Sequence, residues 1–266
     1  MSPLATAVLA LAIANAPPGR SPYSFEVLAE CGTDPETASC PLEPVCADDA
    51  PACRPPKWSA ARGGWVRMET RASAIRRYAT IAHALSDTAE RLMKCDRESS
   101  CEPVGWGGDA RTLALSTLAV ALHESGLRED VQFGHPPLGR GPAGEACLVQ
   151  LGLAHAPRYA TWLTPSERDS AASSKRKREA FARTLLADSP AALGRCFEVG
   201  MRMLARSRSA CGKAGVAWDY GMFSMYGSGR TCKLPGVGES RRATLQKLLF
   251  ARPELPEDAR GLGGEL

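Results

Sequence analysis

Between Thr112 and Leu127 the chain reads TLALSTLAVALHESGL, an uncharged stretch as far as Leu122 that then runs into one carboxylate, Glu124. A helix this apolar on all sides belongs inside a core. Such surroundings normally exclude carboxylates, because desolvating the charged form is expensive. An acid placed at the end of this helix favours its neutral form, and its pKa rises. A carboxyl that keeps its proton near neutral pH is what cleavage of a glycosidic bond requires. The same residues also fit a plain helix C-terminus, with Glu124 turned to water and Gly126 as a left-handed cap.

The chain has 266 residues, enough for one large core with an appendage. Net charge is only +4 but unevenly spread: Phe25–Cys53 holds seven acids and no Lys or Arg, whereas Ser170–Phe250 holds fifteen Lys/Arg against five acids. A basic C-terminal half fits a polyanionic partner, although any single cluster also reads as a solvated face. Ten cysteines occur, at 31, 40, 46, 53, 95, 101, 147, 196, 211 and 232. None forms a CxxC pair and the four histidines are not spaced as zinc partners, so disulfides are expected and no metal or cofactor is. Cys95–Cys101 and Cys211–Cys232 are plausible short loops.

Leu4–Ala14 has the length of a secretory h-region, and Ala14-Asn15-Ala16 has the form of a cleavage site. Residues 1–16 are therefore read as a signal peptide, and the protein as periplasmic or secreted. The run is too short to span a bilayer, and no other segment reaches that length, so no stable membrane insertion is expected. Residues 17–60 read as a Cys/Pro-rich, loop-rich segment, 61–252 as a mainly α domain, and 253–266 as a disordered tail. Within the domain, Ser73–Met93 puts Ile75, Tyr78, Ile81, Ala82, Leu85, Ala89 and Leu92 at helical steps, with His83 an ordinary helix residue. Further helices are expected over Ser166–Leu186, Ala191–Cys211 and Ser240–Phe250. Gly134–Gly144 reads as a long loop, and at most one short hairpin is expected.

Four segments matter together: Ala121–Leu127 (ALHESGL), Glu145–Gly152 (EACLVQLG), Cys196–Leu204 (CFEVGMRML) and Met222–Gly229 (MFSMYGSG). In this order they resemble the lytic transglycosylases and goose-type lysozymes, the soluble lytic transglycosylase branch of the lysozyme-like superfamily. The resemblance covers roughly Thr112 to Cys232, just under half the chain. It implies a lysozyme-like helical domain with Glu124 as catalytic acid, Ser125 as its serine neighbour, and Gln150 and Tyr226 as substrate-binding residues. Gly200 and Leu204 fit the intervening helix. The chain departs from the pattern at Cys196 and Gly227, where the family has Asn, and at Cys147, where it has Gly. Leu148 and Val149 stand for its Leu-Met.

An ordinary glycosidase needs a second carboxylate. Asp219, Glu145 and Asp109 lie near the segments, but none carries motif support. If none serves, the sugar supplies its own nucleophile. The resemblance implies that the muramic acid 6-hydroxyl then closes on C1 to give a 1,6-anhydro product, with Glu124 acting first as acid and then as base. The expected partner is the peptidoglycan glycan strand rather than nucleic acid. A hydrolytic muramidase and a non-catalytic wall-binding or partner-binding protein remain as alternatives. Trp106, Trp162 and Trp218 fit either sugar stacking or core. His123, next to Glu124, points about 100° away on a helix and so out of the site.

Overall fold

The computed structural model describes residues 1–16, 29–32, 40, 56–59, 64–66, 69, 71–98, 101–134, 144–186 and 189–264. Most of the Cys/Pro-rich segment, including Cys46 and Cys53, and the centre of the Gly134–Gly144 loop lie outside them. The fold is mainly α. Its elements in order are α1 (Pro3–Asn15), a hairpin of β1 (Lys57–Ser59) and β2 (Gly64–Val66), α2 (Arg71–Glu98), α3 (Ala110–Glu124), α4 (Glu129–Phe133), a second hairpin of β3 (Glu145–Ala146) and β4 (Leu151–Gly152), α5 (Pro165–Ser173), α6 (Lys175–Arg183), α7 (Pro190–Lys213), α8 (Trp218–Ser228) and α9 (Val237–Phe250). Both hairpins are antiparallel; in the second, Glu145 faces Gly152 and Ala146 faces Leu151.

The apolar run folds as expected. Asp109 caps α3 by accepting the Thr112 amide at 2.6 Å, and these hydrogen bonds hold its carboxyl below the usual carboxylate range. Every residue from Leu113 to Ala121 is buried, because α3 is packed by α1, α2, α7 and α9. The whole helical stripe read in α2 is buried too. The helix expected over Ser166–Leu186 is instead two. Ser174 turns extended between them, and its hydroxyl caps α6 through the Lys177 amide.

Residues 1–16, expected to be a leader, carry α1 in the full chain. Asn15 ends and Ala16 caps this helix, whose Val8, Leu9, Leu11 and Ile13 are buried and which packs on α2 and α3. An export h-region and a fully enclosed helix share one signature, apolarity all round the axis, and sequence alone does not separate them. The tail expected to be disordered packs on the fold at Asp258, which accepts Arg71 Nε at 2.6 Å, and at Ala259, which is buried.

Four disulfides join described cysteines: Cys31–Cys40, Cys95–Cys101, Cys147–Cys196 and Cys211–Cys232. They fit an oxidising compartment. No helix among the described residues is long and apolar enough to cross a membrane. At about 2–4 kcal/mol per bridge, complete reduction is expected to lower the melting temperature by at least about 10 °C. Calorimetry with and without reductant checks this, and an unchanged melt would mean that the bridges do not stabilise the fold.

Candidate functional site around Glu124

The end of α3 is built to hold Glu124 at the edge of the core. Ser125 closes the helix through its amide, and Gly126 follows in the left-handed region with φ of 58°. Leu127 shares that conformation at φ of 54°, which costs energy for a branched side chain. Its support comes from burial and from Arg77, whose guanidinium donates to the Leu127 carbonyl at 2.8 Å while ion-pairing Glu69. The turn after Glu124 is thus tied to α2 rather than left to solvent.

Glu124 does not point to open water. Its carboxylate pairs with Arg241 of α9, and its side chain keeps 24 % of its free exposure. Arg241 is itself buried, lies 5.9 Å from the centroid of the Tyr226 ring and reaches the Phe223 carbonyl. Burial is the largest influence on Glu124 and raises its pKa. The Arg241 charge opposes this, and the like charge of Glu145 adds to the rise. Tyr226 closes the group from α8. Its hydroxyl donates to the Val149 carbonyl at 2.8 Å, and burial pushes its pKa up, followed by the charge of Glu124.

Arg241 escaped the sequence reading, although one signal for it exists. Gly227, which stands where the resemblance expects Asn, leaves room for the guanidinium: a Cβ there would lie 2.8 Å from Arg241 Nη1 and 2.9 Å from Val237. The other two departures prove to be one feature. Cys147 and Cys196 form a disulfide that fastens the second hairpin to α7. Gly200 permits the same approach, since a Cβ there would meet Val149 Cγ2 at 3.0 Å.

The remaining sequence candidates are spent elsewhere. Ser125 Oγ donates to the Ala121 carbonyl at 2.7 Å and accepts the Leu127 amide, so it caps its own helix. Gln150, at φ of 47°, closes the hairpin by donating from Nε2 to the Cys147 carbonyl at 3.1 Å. Neither hydrogen bond reaches Glu124. His123 lies outside the acid's contacts, with Nε2 2.8 Å from Thr244 Oγ1. Among the three carboxylates, Asp109 caps the far end of α3, about 22 Å away at 1.5 Å per residue. Asp219 is engaged by Arg242 and the Tyr220 amide. Glu145 alone of the three acts electrostatically on Glu124.

Trp106 is core, packed edge-to-face with Trp218 while Arg208 lies over both rings. Trp162 stacks on Phe181. No group of His, Cys, Asp and Glu among the described residues is arranged to hold a metal ion. No protein-family model, curated protein or solved structure matches this chain.

A general acid is active while protonated, so activity falls as pH rises through its pKa. Arg241→Met removes the charge that favours the Glu124 carboxylate, leaving burial and Glu145 to raise the pKa further. For a protein that uses Glu124 as a general acid, the alkaline limb of the activity profile is then expected to move to higher pH. Rate measurements across pH on wild type and variant test this; coincident limbs would show that the ion pair does not govern the acid.

Proposed function

We propose that this protein is a peptidoglycan lytic transglycosylase, cleaving the bond between N-acetylmuramic acid and N-acetylglucosamine with Glu124 as the single acid/base. The observation that carries the reading is a carboxyl at the end of a wholly buried helix, with burial as the largest influence on its proton affinity. In the first step Glu124 gives its proton to the glycosidic oxygen as the bond from C1 breaks. The carboxylate then takes the proton of the muramoyl 6-hydroxyl as O6 bonds to C1. The acid is regenerated without water. Arg241 suits the intermediate stage, when Glu124 is negative, and Tyr226 holds Arg241 from below.

One observation favours a second reading, hydrolysis. Glu145, on the second hairpin, lies close enough to Glu124 for their charges to interact, and it is the carboxylate that this reading would use as base for water. Mass spectrometry of muropeptides from digested sacculi separates the two. Anhydromuropeptides support the lyase, and reducing-end muropeptides move the assignment to a muramidase using Glu145. Empty digests from folded, oxidised protein favour a non-catalytic wall-binding protein.

A further inference from the structure

Beside this site lies a cavity of about 300 Å³ between the turn at Ala156–Tyr159, α7 and α8. Its lining includes Met203, Met225 and Tyr226 on one hand and His155, Arg158 and Arg206 on the other, and it contains no acid. The buried arginines among the described residues are neutralised, Arg77 by Glu69, Arg202 by Glu198 and Arg241 by Glu124. No ion pair within the described residues engages Arg158 or Arg206. Two guanidiniums and an imidazole around one concavity, with no carboxylate to balance them, form an anion-recognising surface. The thioether and phenol walls add apolar area for the part of a ligand that carries the charge.

Tyr226 is the link. Its ring lines this cavity, and Arg241, which pairs with Glu124, lies over the same ring. A ligand cut at Glu124 therefore has a cationic recess one side chain away.

We propose that this cavity is a subsite for an anionic arm, carboxylate or phosphate, carried by the polymer cut at Glu124. This rests on the glycan-cleaving reading given above. In peptidoglycan the carboxylate source is the peptide stem, and the phosphate source is an attached phosphodiester polymer. Arg158 and Arg206 are the specificity-determining residues.

The test is calorimetric titration of the full, oxidised chain carrying Glu124→Gln, which removes turnover. The probes are a soluble muramoyl peptide with free carboxylates, its fully amidated counterpart, and glycerol phosphate. The same titrations follow with Arg158→Gln/Arg206→Gln added. Both arginines are exposed, so the fold is expected to survive; a cooperative melt verifies it, and the single Arg206→Gln variant serves as a second measurement. The free-carboxylate peptide is expected to bind at least about tenfold more tightly than the amidated one, with the preference lost when both arginines are replaced. Glycerol phosphate binding that depends on the two arginines, without a carboxylate preference, assigns the arm as phosphate. Anion binding that ignores Arg158 and Arg206 overturns the proposal.

Digestion of peptide-free glycan by wild-type protein keeps the two readings apart. Cleavage of that glycan alongside arginine-independent binding leaves the lyase standing and removes the subsite. Arginine-dependent anion binding with no cleavage of any sacculus leaves the anion site standing and removes the lyase.

Discussion

Glu124→Gln is expected to abolish muropeptide release, with a loss of about 10²–10⁴-fold or more, the ordinary contribution of a positioned proton donor. The amide keeps the size and hydrogen-bonding oxygen of the acid but has no proton to give at any accessible pH. It also leaves the buried Arg241 with a neutral partner, so some loss of stability accompanies the substitution, about 1–3 kcal/mol. Kinetics and calorimetry must therefore be read together. A variant that melts cooperatively and releases nothing places the chemistry on Glu124. A variant that melts lower yet releases products at the wild-type rate makes the carboxylate a structural counter-ion for Arg241.

The second large effect concerns α1. A chain beginning at Pro17 loses Val8, Leu9, Leu11 and Ile13 from the core and uncovers the surfaces of α2 and α3 beneath them. Each of these side chains contributes about 1.5–3 kcal/mol when fully buried, and together they rival the whole stability of a typical domain, about 5–15 kcal/mol. The truncated protein is expected to lack a cooperative melt and to bind a hydrophobic dye. A truncated protein that melts like the full chain would make residues 1–16 dispensable to the fold, as a removable leader is.

Where periodicity is strong, the sequence discloses the structure. The stripe from Ile75 to Leu92 and the apolar run of α3 each have one solution, burial, and both adopt it. α8 was read only as a short motif, because its polar and apolar residues do not segregate to faces and Gly221 and Gly227 interrupt it. Gly221 is needed because Cys211 Cβ would lie 2.6 Å from a side chain there. The break between α5 and α6 was hidden for a simpler reason: Ser174 ends one helix and starts the next without a proline or glycine to mark it.

At the site, the acid was legible and its partner was not. Glu124 announces itself by its local surroundings. Arg241 looks like one more cation in a basic region, and its role arises only when α9 packs on α3 and the bare backbone at Gly227 admits the guanidinium. Ser125 and Gln150 show the reverse case. Their types suit substrate binding, but both occupy backbone turns in which Ser125 Oγ and Gln150 Nε2 hydrogen-bond locally.

The two halves of the Cys147–Cys196 bridge depend on each other. Cys147 sits at φ of 61°, where a glycine would be at ease, so alone it brings strain and a stray thiol without a bond. A lone Cys196, fully enclosed on α7, would be equally unrewarded. Replacing either cysteine alone therefore costs the bridge and leaves the other as an enclosed thiol.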